Sequence, residues 1–107
     1  MNLSDDQLKE FLKQIKRDDF AAQVNTKFHV NQSVEAELIE VSEAKKYPRQ
    51  ESYSMLFLMP ADFPPFQGNF LFEHPQLGAH EIFVVPIENA SDGIVFEAAF
   101  NRLLPKS

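Results

Sequence analysis

A chain of 107 residues with a formal net charge of −6 and no cysteine makes one domain, and the missing thiols exclude disulfides, thiolate metal sites and cysteine nucleophiles. Lys and Arg are absent from residues 50–101, a stretch holding Glu51, Asp62, Glu73, Glu81, Glu88, Asp92 and Glu97, so no nucleic acid is expected as a partner. No run approaches the roughly twenty apolar residues of a membrane span, and the acidic start does not read as a signal peptide, so the expected setting is cytoplasmic and free of membrane.

Along the chain, Ser4 and Gln7 have the spacing of a capping box. Leu8, Phe11, Leu12 and Ile15 follow at i, i+3, i+4 and i+7, one stripe of an amphipathic helix over residues 1–17. Residues 18–24 read as a further short helical turn, capped by Asp18 and closed by Asn25. This turn opens a single antiparallel β-domain expected over residues 18–107.

Strands are expected at residues 26–30, 34–41, 52–59, 69–74, 79–87 and 94–101. Within the second, alternation runs to Leu38, adjoins Ile39 and resumes out of phase at Val41, which is what a β-bulge produces. The charged residues 43–51 read as a loop. Residues 52–59 carry large apolar side chains on both faces, so this strand is expected to be central and covered on both sides. Connections this short leave no room for parallel crossovers. The fold class is therefore mainly β, with about six antiparallel strands in a meander, a strongly curled sheet or a small barrel, behind one N-terminal helix. Phe57, Phe70, Phe72, Phe83, Phe96 and Phe100 are the expected core aromatics, because they recur along the strands.

Several segments carry a resemblance. They include Asp19-Phe20, Glu37-Leu38-Ile39-Glu40-Val41, Tyr53-Ser54-Met55-Leu56-Phe57 and Glu73-His74-Pro75 through Leu77-Gly78. They continue with Phe83-Val84-Val85-Pro86-Ile87 and a closing Phe96-Glu97-Ala98 to Phe100-Asn101-Arg102. Over about residues 18–103 the chain resembles a family of short bacterial proteins classed as a domain of unknown function. The Glu-His-Pro-x-Leu-Gly turn is the most specific part of the likeness, and the N-terminal helix looks like an addition. The resemblance brings no activity and no catalytic residues. Members stand beside genes for phage-tail-collar-like proteins, which implies an accessory or assembly role.

Chemistry-bearing constellations are sparse. His74 and His80 flank one hairpin, each beside a glutamate, but adjacent strand residues point to opposite faces. The expected role of His74 is to cap the turn at residues 75–78, and His29 is expected at the surface. No Gly-x-Ser-x-Gly elbow and no glycine-rich phosphate loop occurs, so neither a catalytic centre, a metal nor a cofactor is expected. The unusual segment is residues 60–68, a proline-rich loop carrying two aromatics. Either Phe63 and Phe66 fold back over one end of the sheet, or they stay exposed and seat a partner. Phe63, Pro64, Pro65 and Phe66 are the first candidate interaction residues, and the stripe Leu8, Phe11, Leu12 and Ile15 the second. The function expected is a non-catalytic protein-interaction or assembly module with a protein partner. The alternative is a small-ligand-binding β-barrel.

Overall fold

The computed structural model describes residues 17–103. The stripe Leu8, Phe11, Leu12 and Ile15 lies outside them. A short helix, α1 (Arg17–Ala21), is followed by β1 (Lys27–Val30), β2 (Val34–Val41), β3 (Lys45–Tyr47), β4 (Gln50–Met59), β5 (Gly68–His74), β6 (Gly78–Ala90) and β7 (Gly93–Leu103). Asn25 closes the turn after α1 in a left-handed conformation, φ 73°, which asparagine tolerates better than most residues.

Six of the strands close on themselves. Around the wall the order is β1-β5-β6-β7-β4-β2 and back to β1, every pairing antiparallel, with β3 appended to β4 alone. A small antiparallel barrel is thus the form the sheet takes. The strand order departs from a plain meander at one step. β4 pairs with β2 and β7, and β5 lies on the opposite wall, so the loop at 60–67 crosses the barrel mouth. The tendency of consecutive strands to pair holds at most connections but yields here to closure of the wall.

The bulge expected in β2 is present: pairing with β4 shifts register between Leu38 and Glu40, leaving Ile39 as the extra residue and both Leu38 and Val41 against the core. A second shift, between Pro86 and Glu88 of β6, makes Ile87 an extra residue that faces solvent. The long β6 changes partner along its length. Gly78 to Val84 pair with β5, and Val85 to Ala90 pair with β7. Pro86 sits just past the end of β5, where its missing N–H interrupts no ladder.

The interior is filled by phenylalanine. Phe28, Phe57, Phe72 and Phe96 are fully buried, and the Phe57 and Phe72 rings lie 4.6 Å apart. Phe20 of α1 stacks on Phe28 at 6.4 Å and on Phe100 at 6.3 Å, closing the lower end. Phe83 departs from expectation. It follows Ile82 and precedes Val84, both inward, so strict alternation turns it outward and leaves it 49% exposed. Phe70 and Phe100 are partly buried at the two ends. On β4 the inward residues Met55, Phe57 and Met59 are fully enclosed, while Leu56 and Leu58 on the outer face are half-buried. The charged stretch expected to be a loop contains β3, a short ribbon in which Tyr47 pairs with Gln50 around a Pro48-Arg49 turn.

Candidate functional site

The crossing loop divides its own aromatics. Phe63 N–H donates to the Pro60 carbonyl at 3.0 Å, and Phe66 N–H donates to the Pro64 carbonyl at 2.9 Å, so two tight turns set the path. The first turn drops Phe63 into the barrel mouth. There it is 9% exposed and meets Phe70 and Phe96 edge-to-face at 5.4 and 5.6 Å. Phe66, three residues on, is 71% exposed. Pro64 and Pro65 between them are exposed and fix their φ angles, which stiffens the bridge from plug to rim.

Beside Phe66 a groove of about 460 Å³ separates this loop from the turn at 31–33. Asn31, Val34, Asp62, Phe63, Phe66 and Phe70 line it, and Asp62 is the sole ionisable residue among the described ones that do. Asn31 and Gln32 both adopt positive φ, 51° and 59°, and Ser33 N–H donates to the Val30 carbonyl at 3.1 Å, as in a type I′ turn. Asn31 also clasps β5: its N–H donates to the Leu71 carbonyl at 2.8 Å, and its Oδ1 accepts from Leu71 N–H at 2.9 Å. This is the last rung between β1 and β5. Backbone groups of alternate residues face the same neighbour, so those of Asn69, next to the groove residue Phe70, point past the end of β1. Among the described residues no partner reaches them.

Charge is distributed along the barrel axis. Described cations Arg17, Lys27, Lys45, Lys46 and Arg49 lie on elements, or on the β3–β4 turn, at the α1 end. At the Phe66 end stand Glu35, Asp62, Glu88 and Asp92, with no Lys or Arg among the described residues. Two ion pairs, Arg17–Asp18 and Lys27–Glu37, are formed among the described residues. Neither involves the acids of the groove end.

His74 lies at the α1 end, pointing inward in phase with Phe72, and is 6% exposed. Gln76 N–H donates to its Nδ1 at 3.1 Å, so Nε2 carries the proton and donates to Thr26 Oγ1 at 2.9 Å. The Thr26 hydroxyl in turn donates to the Gln23 carbonyl at 2.6 Å. Desolvation by burial holds the imidazole below the ordinary histidine value of 6.5, and the ring packs on Phe28 at 4.5 Å. The expected turn-capping role is what the geometry shows, with a tie to the α1–β1 connection added. His80 shares the inward face, with Nε2 against the Leu77 carbonyl at 2.6 Å. His29 faces solvent between Glu35 and Glu73 on the neighbouring strands. No group of three or more His, Asp or Glu among the described residues has the arrangement to hold a metal ion.

Residues 15–100, most of the chain, match a family described as a domain of unknown function, DUF6916. The chain belongs to that family. No curated protein and no solved structure matches it. The DUF6916 match takes in the whole loop at 60–67 together with both histidines of the β5–β6 hairpin. Among the described residues no helix is long and apolar enough to cross a membrane.

Of the candidate residues, Phe63 and Phe66 are brought to one loop but opposite environments, and Pro64 and Pro65 join them. Asn31, Val34 and Phe70 complete the groove without having been singled out as interaction residues. Phe70 was expected in the core as a strand aromatic, and Asn31 carried a turn signal only. The clamp on Thr26 had no signal in sequence beyond the inward phase that Phe72 lends to His74.

Proposed function

We propose that this DUF6916 chain is a non-catalytic protein-interaction or assembly module that engages its partner through the rim carrying Phe66. One observation carries the reading: an aromatic 71% exposed to solvent is held on a proline-stiffened loop whose other aromatic is locked into the core. Presenting a side chain already fixed in place adds little ordering entropy to binding. Exposed aromatics are favoured anchors at interface centres, where truncation removes about 2 kcal/mol or more. The groove supports a binding role over chemistry, since among the described residues that line it Asp62 has no second ionisable group beside it to act as acid or base. The packed phenylalanine interior weighs against the alternative of a ligand inside the barrel. A cysteine-free chain suits the reducing cytoplasm.

The test is affinity capture from native cells with wild type and Phe66→Ser, read by mass spectrometry. Proteins retained by wild type should be lost with Phe66→Ser while the melting temperature stays within a few degrees. Equal capture by both proteins would refute the reading.

A further inference from the structure

The β3–β4 hairpin presents the complement of the Phe66 rim at the other end of the molecule. Its tip is Lys45-Lys46-Tyr47-Pro48-Arg49, three cations around an aromatic that is 53% exposed. Glu43 and Glu51 flank this run, and Lys46 pairs across the ribbon with Glu51, yet none of the three cations forms an ion pair among the described residues. β3 pairs with β4 alone and so is an edge strand. Lysines on an edge strand reject most incoming strands. They are compatible with a surface that bears acids and, among the described residues, no cations.

The groove end answers each of these features. It offers the exposed ring of Phe66, the buried ring of Phe63 beneath, the carboxylate of Asp62 and the unpaired backbone groups of Asn69. Glu35, Glu88 and Asp92 add negative charge at the same end. Tyr47 and Phe66 are two of the four large hydrophobics exposed among the described residues, and they sit at opposite ends of an elongated body, 46 Å in its longest dimension.

Building on the rim as the interaction surface, we propose that its partner is a second copy of this chain. The basic hairpin around Tyr47 of one copy seats in the Phe66 groove of the next. The two surfaces are different patches, so the contact is heterologous: repeated, it builds open filaments or rings instead of stopping at a symmetric dimer. Charge opposition makes the contact weaken as salt rises.

Sedimentation velocity of the full chain over a concentration series tests this. Weight-average mass should climb past that of a dimer with concentration and fall back with added salt. Two blocked proteins then read the polarity of the contact: Asp62→Lys with Phe66→Ser at the groove, and Lys46→Glu with Tyr47→Ser at the hairpin. Each should remain monomeric alone, and a mixture should form one-to-one dimers and grow no further, because each partner retains one working end. All four positions are on exposed surface, so circular dichroism should match wild type. If a blocked protein melts early, the concentration and salt dependence of wild type decides the question. Wild type that stays monomeric into the submillimolar range overturns self-assembly, as does a wild-type dimer that neither blocked pair disrupts. Such a result leaves the rim free for a different protein. The capture experiment with Phe66→Ser judges that reading separately.

Discussion

Truncating Phe63 and Phe66 to alanine one at a time separates plug from rim. Phe63 is 9% exposed and loses two edge-to-face partners, Phe70 and Phe96. A buried Phe→Ala change typically costs about 3–5 kcal/mol, and less where neighbours can close the void. Phe63 borders the open groove, where Phe70 is only partly buried and free to shift, so the expected cost is the lower figure, about 3 kcal/mol. Against a total stability of roughly 5–15 kcal/mol that is a large share. With about 4–8 °C per kcal/mol for a domain of this size, the melting temperature should drop by about 12–24 °C. Phe66→Ala removes a ring already in solvent and should stay within about 0.5 kcal/mol. Urea unfolding followed by far-ultraviolet circular dichroism gives both midpoints on one scale, and an unchanged slope confirms that the same surface is exposed. Equal costs for the two variants, or a Phe63→Ala midpoint that matches wild type, would refute the assignment of plug and rim.

The His74 clamp predicts a pH dependence of stability. Burial favours the neutral ring in the fold, whereas the unfolded chain takes up its proton near the ordinary value of 6.5, so the contribution is complete above that pH and is lost as pH falls below it. Melting temperatures taken downward from neutrality should therefore fall more steeply for wild type than for His74→Gln, and parallel curves would count against the clamp. Gly93→Ala should destabilise by about 1–3 kcal/mol in chemical denaturation, since a Cβ there collides with the Met59 carbonyl oxygen and presses on the Leu58 side chain. A neutral result would mean that the start of β7 and the end of β4 sit farther apart than the pairing of Met59 with Ile94 implies. Gln32→Gly converts the β1–β2 turn to Asn-Gly, the preferred type I′ pair, and should raise stability by up to about 1 kcal/mol by relieving the positive φ at Gln32. A lower melting temperature would show that the Gln32 side chain contributes more than its backbone strain removes.

Strand positions were legible in sequence because period-two alternation is a local property. The bulge at Ile39 was legible for the same reason, since Leu38 and Val41 cannot both face inward on a regular strand. Strand order was not. It depends on which walls meet when the sheet closes, and no local pattern records that β4 and β5 stand opposite one another. The fate of Phe63 follows from that crossing, which is why residues 60–68 were open to two readings from sequence: Phe63 is buried at the barrel mouth, while Phe66 stays exposed. Phe83 was misjudged for a different reason: hydrophobicity marks a residue as apt for burial, but parity along β6 decides, and Ile82 and Val84 hold the inward phase. β3 was missed because three exposed residues, Lys45, Lys46 and Tyr47, carry no burial signal at all.

The wall of this barrel is unevenly sewn. Between β4 and β7 ten residue pairs face each other, whereas β1 and β5 share two, His29 with Glu73 and Val30 with Phe72, before the Asn31 clasp finishes the join. A seam that short, joining residues more than forty positions apart, gains little per unit of chain restrained and is the natural place for breathing. Its amides should exchange with solvent ahead of those in β4 and β7. In refolding it should form late, after the hairpins on either side have set their own register. Asn31, a turn residue by sequence, thereby acts as the last stitch: its side chain supplies the acceptor that the departing backbone of β1 no longer can.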